Sequence, residues 1–124
     1  MNIYSHFNTI CKSGNLEEAF INACEYGNLL VVQYLLSIKP DIDISAYNEA
    51  VFRHACCHGH LLVAQWLLSV KPDIHISANG EFAFRYACYK GHLLVAQWLL
   101  SVKPDINISA HNETAFRNAC FSGH

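Results

Sequence analysis

"FRHACCHGHLLVAQWLLSVKPDIHIS", residues 52–77, returns 32 positions later as "FRYACYKGHLLVAQWLLSVKPDINIS", residues 84–109. An earlier copy, "FINACEYGNLLVVQYLLSIKPDIDIS", occupies residues 20–45, and "FRNACFSGH" opens a further one at residues 116–124. Between residues 45–76 and 77–108, 24 of 32 positions are identical. Cys24, Cys56, Cys88 and Cys120 form one column, Gly27, Gly59, Gly91 and Gly123 a second, and Pro40, Pro72 and Pro104 a third. A fixed period of this size marks a tandem array, in which each unit buries its apolar face against its neighbours.

Each unit reads as helix, turn, helix and extended arm. In "EFAFRYACYK", Phe84, Ala87 and Cys88 share one helical face, and Gly91 supplies the left-handed residue that ends the helix. "HLLVAQWLLSV" is apolar nearly all round, which predicts a second helix buried on more than one side. Lys103 suits the negative end of that helix and Pro104 prevents its continuation. "DINIS" alternates Ile106 and Ile108 as a short arm that "SAHN" turns back, with Asn112 the expected N-cap of the next helix and Glu113 in its first turn.

The segment "HACCHGH", residues 54–60, has the residue types that zinc prefers. The repeat explains most of it: Ala55, Cys56 and Gly59 belong to the frame, and His60 recurs as His92 and His124. His54, Cys57 and His58 are peculiar to this copy and, at i, i+3 and i+4, share a helix face. No fourth ligand is placed by sequence, so the expectation is repeat variation, with no metal and no cofactor. Cys57 and His58 are chain neighbours that point about 100° apart on a helix, which argues against a nucleophile–base pair. The cysteine column is not a disulfide framework either. Adjacent helices lie about 8–10 Å apart, whereas a disulfide needs Cα atoms within about 7 Å.

Composition narrows the function classes. Hydrophobic residues make up 52% of the 124 and charged ones 15%, which excludes a disordered chain. The net charge of −2, with basic residues spread along the sequence, gives no nucleic-acid or membrane patch. The longest apolar run, "LLVVQYLL", is too short to span a bilayer, and "MNIYSHFNTICKSG" lacks the features of a signal peptide. A cytoplasmic protein with reduced cysteines is expected. No catalytic triad, phosphate loop or paired carboxylates assemble an active site, so the chain is expected not to be an enzyme. Glu49, Glu81 and Glu113 each precede Arg53, Arg85 and Arg117 by four residues, a spacing that predicts helical ion pairs.

"GHLLVAQWLLSVKPDIN" resembles the ankyrin repeat motif G-H-L-x-V-x-x-L-L-x-x-G-A-D-V-N, and the likeness extends over roughly residues 15–124. The period is one residue shorter than usual, "FAFR" and "TAFR" stand where the family has T-P-L-H, and Lys-Pro replaces Gly-Ala after the second helix. Arrays of the form "AFRxAC…GHLxVAxWL" are similar to the divergent ankyrin proteins of giant DNA viruses, which would put the chain in a host cytoplasm. The resemblance implies an all-α ankyrin-repeat solenoid with short β-hairpin-like loops. The expected division of the single domain is a capping helix at 1–14, repeats at 15–44, 45–76 and 77–108, and a partial repeat at 109–124.

The resemblance also implies a non-enzymatic module that binds a protein partner through the concave face and hairpin tips. The positions at which this chain's own repeats differ coincide with those places. They supply the candidate contacts Glu25, Tyr26, Tyr47, Cys57, His58, Asn79, Phe82, Tyr86, Tyr89, Lys90, His111 and Phe121. Tyrosine and phenylalanine give large, rigid contact area suited to recognition. The family's asparaginyl hydroxylation column holds Asp43, His75 and Asn107, of which only Asn107 is an asparagine.

A second surface is set by Leu30, Leu62 and Leu94, at a position commonly charged in the family, followed by Tyr34, Trp66 and Trp98. The aromatic rings are expected over the grooves between second helices; an exposed ridge would be an apolar patch. The chain stops at His124, before a second helix of the last repeat. An end left open there is expected to associate with another copy or to be covered by a partner.

Overall fold

The computed structural model describes residues 15–106, which form six helices: α1 (Leu16–Tyr26), α2 (Leu29–Ile38), α3 (Ala46–Cys57), α4 (Leu61–Val70), α5 (Ala78–Tyr89) and α6 (Leu93–Val102). The expected capping helix at 1–14 and partial repeat at 109–124, with His111, Asn107 and Phe121, lie outside the described residues. Asn15 starts α1 by accepting the Glu18 N–H at 3.0 Å, which satisfies a donor that the helix cannot. Gly27 ends it at φ 77°, where the Asn28 N–H reaches back to the Ala23 carbonyl. The same closure recurs at Gly59 and Gly91, with His60 bonded to Ala55 and His92 to Ala87.

Helix pairs stack in register. Within each unit the two helices pack on one another, and across units α1 lies on α3 and α3 on α5. Second helices meet far less closely, α2 touching α4 only lightly. Tighter packing on the first-helix side curves a stack toward that side. The core is the repeated frame itself: Phe20, Phe52 and Phe84, Cys24, Cys56 and Cys88, and Leu35, Leu67 and Leu99 are all closed to solvent. Each buried Leu or Phe side chain contributes about 1.5–3 kcal/mol.

The arms between units differ from the extended pattern expected of them. Among the described residues there is no strand. Instead the chain makes successive turns: Ile42 N–H to the Lys39 carbonyl, Ser45 N–H to Asp43 Oδ1 at 3.0 Å, and Ala46 N–H to the Asp43 carbonyl. The alternation survives as burial, with Ile42 and Ile44 inside and Asp41 and Asp43 outside. Lys71 folds back onto Asp73 at 3.0 Å, and this hydrogen bond holds the Asp73 carboxyl below its ordinary range.

The predicted Glu–Arg helical pairing is corrected by the backbone. Tyr47, Asn48 and Glu49 all have positive φ (55°, 57° and 62°), and Asn79, Gly80 and Glu81 repeat that left-handed turn. Glu49 therefore precedes the regular helix, and the i, i+4 geometry does not apply to it. It is buried instead, and its Oε2 accepts the His75 N–H of the next arm at 2.7 Å. Arg53 donates from Nε to the Asn48 carbonyl (2.9 Å) and from Nη2 to the Tyr47 carbonyl (3.1 Å). Arg85 donates likewise to the Gly80 carbonyl at 2.8 Å. Most L-residues, Tyr47, Glu49 and Glu81 among them, resist this conformation by about 1–2 kcal/mol each, so Arg53 and Arg85 serve to pin a strained turn; Glu113 and Arg117 lie outside the described residues.

Candidate functional site

The described candidate residues fall along the first helices and the turns that precede them. Glu25 and Tyr26 end α1, Cys57 and His58 end α3, and Tyr89 and Lys90 end α5. Phe82 and Tyr86 lie further back on α5, while Tyr47 and Asn79 sit in the left-handed turns. Tyr26, Tyr47 and Tyr89 are 67%, 77% and 73% exposed, although a buried frame residue lies beside each of them in the chain or one turn away. Asn79 and Lys90 are also exposed, and Glu25, His58, Phe82 and Tyr86 are half-buried.

Several of these side chains touch across the unit boundaries. His58 Nε2 lies 3.6 Å from Glu25 Oε1. The His54 ring is 6.1 Å from that of His58 and 6.3 Å from that of Phe82. Phe82 packs on Tyr86 at 4.3 Å, and Tyr86 meets Tyr89 edge-on at 6.4 Å. The Arg53 guanidinium covers the Phe82 ring at 4.8 Å, within cation–π range. The result is a strip that passes from carboxylate through imidazoles to stacked aromatic rings. Tyr47 and Asn79 stand apart from it at the turn tips.

Cys57 does not belong to the exposed surface. It is 6% exposed, because a short thiol stays within the packed layer where the longer Glu25 and Tyr89 reach solvent. The proposed face of His54, Cys57 and His58 is corrected accordingly: Glu25 of the preceding unit takes the third place beside the two histidines. The residues missing from the sequence-derived set are His54 and Arg53. The i, i+4 spacing of His54 and His58 was the available signal for the first. The second was obscured by its neighbouring glutamate.

His60 has a different task. Its ring lies over Gly27, so close that a Cβ there would collide with the Nδ1, Cγ and Cε1 atoms. Its Nε2 donates to the Glu25 carbonyl at 2.9 Å. Burial, with the nearby His58 adding to it, lowers the His60 pKa below its ordinary 6.5 despite that hydrogen bond. His92 stands over Gly59 in the same way. The histidine that follows the glycine in one unit thus stands over the glycine of the preceding unit. Cys24, Cys56, Cys57 and Cys88 are all unbridged, and burial pushes the Cys24 thiol up to about 12 and Cys56 higher.

The second helices present the other surface. Trp66 and Trp98 pack against the core, with Trp98 6.2 Å from Phe52, as expected for rings seated over the groove. Tyr34 is more open, and Leu30, Leu62 and Leu94 project into solvent at 69%, 67% and 70%. No helix among the described residues is long and apolar enough to cross a membrane.

Stacked helix pairs with a variable strip on the first-helix side define a helical-repeat scaffold. The chain belongs to the ankyrin repeat family: the family model for three copies of the ankyrin repeat matches residues 3–78 and 55–124. Ankyrin repeats generally serve as protein–protein interaction modules. No curated protein and no solved structure matches the chain.

Proposed function

We propose that the chain is a non-enzymatic recognition module that binds a protein partner along the first-helix strip and the turn tips. The observation that carries this reading is the exposure of Tyr26, Tyr47 and Tyr89 on a repeated, tightly packed frame. Rigid aromatic side chains lose little entropy on binding, and a frame fixed by repeat packing holds them in place. The mixed, slightly acidic charge favours a protein partner over a nucleic acid or a membrane surface. A cytoplasmic setting fits the buried, reduced thiols; a viral origin rests on resemblance alone.

The test is a matched capture experiment. The native chain and a Tyr26→Ala/Tyr47→Ala/Tyr89→Ala variant are used as baits, and any captured protein is then titrated against both in purified form. Binding weakened at least tenfold in the variant, with unchanged circular dichroism, supports the reading. Equal affinity for both baits refutes this surface.

A second reading is self-association, favoured by the exposed Leu30, Leu62 and Leu94. It predicts a mass in light scattering that rises with concentration and ceases to rise in a Leu30→Gln/Leu62→Gln/Leu94→Gln variant. A strict monomer over the whole range excludes it.

A further inference from the structure

We infer that Glu25, His54 and His58 form a binding site for a divalent transition-metal ion of the zinc type at the boundary between the first two described units. One ligand atom from each of the three residues lies within 4.8 Å of the others. His58 Nε2 and Glu25 Oε1 are already 3.6 Å apart. Zinc–nitrogen and zinc–oxygen bonds of about 2.0–2.2 Å put tetrahedral ligand atoms roughly 3.4 Å from one another. Small side-chain rotations therefore close the site, with no change in the backbone. His54 and His58 are one turn apart at the end of α3, with rings inclined by 20°, the i, i+4 arrangement by which a helix chelates a metal.

The surroundings fit this use. The Glu25 carbonyl accepts the His60 Nε2–H at 2.9 Å, which fixes the backbone from which the carboxylate projects. All three ligands are half-buried, so a bound ion keeps an open coordination position for water or for a group on another molecule. Two imidazoles and one carboxylate suit zinc, nickel, cobalt or copper rather than the oxygen-seeking magnesium or calcium. Cys57, although next to His58 in the chain, is buried in the layer and takes no part.

The molecule contains its own comparison. At the next boundary the equivalent positions, 32 residues on, are Cys57, Tyr86 and Lys90, which offer no such ligand set on the same repeated backbone. The three ligating residue types coincide at one boundary of the described stack. An ion there ties α1 to α3 and so strengthens one specific junction between units, the quantity that sets cooperativity in a repeat array. Binding and folding are then linked.

The experiment uses the full chain, freed of metal by chelator and titrated with Zn²⁺ against a chromophoric competitor. Co²⁺ absorption identifies the ligands. One equivalent of Zn²⁺ is expected, with affinity reduced at least tenfold in each of Glu25→Gln, His54→Ala and His58→Ala and retained in Cys57→Ala. Zn²⁺ is also expected to raise the melting temperature of the native chain and not that of a His54→Ala/His58→Ala variant. All of these ligand substitutions are at half-exposed positions, and circular dichroism verifies their folding. Absence of a one-to-one complex overturns the assignment. So does binding that survives all three ligand substitutions, or a near-ultraviolet thiolate charge-transfer band with Co²⁺. Glu25 and His58 also lie in the strip assigned to a protein partner, but the Zn²⁺ titration is read without a partner and none of these substitutions alters Tyr26, Tyr47 or Tyr89, so failure of the metal site and failure of the protein-binding reading are distinguishable.

Discussion

Replacing Gly27 by alanine tests how one unit is locked to the next. Gly27 sits at φ 77°, where an L-residue costs about 1–2 kcal/mol. The new methyl group would also meet His60 Cγ and Cε1 at 2.7 Å, well inside contact distance. The ring must tilt away, and its hydrogen bond to the Glu25 carbonyl is lost, a net loss of about 0.5–1.5 kcal/mol. Gly27→Ala is therefore expected to destabilise the fold by about 1.5–3.5 kcal/mol.

His60→Ala alone removes the hydrogen bond and the ring packing, at about 1–2 kcal/mol. In the double variant the collision no longer exists and the hydrogen bond is lost only once. The two effects should thus fall short of additivity by about 1 kcal/mol. Urea denaturation with chelator present, followed by far-ultraviolet circular dichroism, measures all four corners of the cycle. Gly80→Asn is the control: Gly80 also has positive φ, but nothing lies within 4 Å of an added Cβ. Asn48 already occupies the equivalent position at φ 57°, so a change under about 0.5 kcal/mol is expected. Strict additivity of Gly27→Ala and His60→Ala, or a Gly27→Ala effect no larger than that of Gly80→Asn, would falsify the interlock.

Further outcomes follow from the same geometry. Arg53→Ala removes the donors to the Tyr47 and Asn48 carbonyls and should lower stability by about 1–2 kcal/mol in urea melts; a neutral result would deny the arginine its part in holding the turn. Leu67→Ala should cost about 2–5 kcal/mol, whereas Leu62→Ser should stay within about 0.5 kcal/mol, because Leu67 is closed to solvent and Leu62 is 67% exposed. The lowered His60 pKa means that the unfolded chain takes up the proton first as acid is added. His60's contribution is then unfavourable as pH falls through 6.5 and levels off below the folded value. With chelator present, stability measured from pH 7.5 to 5 should decline less steeply in His60→Ala than in the native chain, and identical slopes would refute this. Native-state alkylation should leave Cys24 and Cys56 unmodified until the chain unfolds, since burial raises both thiols far from the thiolate form; peptide mapping reads this directly.

The repeat period, the helix ends at Gly27, Gly59 and Gly91, and the buried columns of Phe, Cys and Leu were legible in the sequence, because each depends on local periodicity and on glycine's tolerance of positive φ. The exposure of Tyr26 and Tyr89 was legible for the same reason: they follow frame residues on a known helical face. Tertiary structure decided the rest. Glu49 pairs with the His75 N–H, 26 residues away, and Arg53 with backbone carbonyls, partners that no i, i+4 rule supplies. Cys57 is buried and Glu25 takes its place beside His54 and His58, because that surface is assembled from two helices belonging to different units. Within a unit the chain's own periodicity fixes which side chains face inward. Between units the stacking distance and the reach of each side chain determine which residues meet.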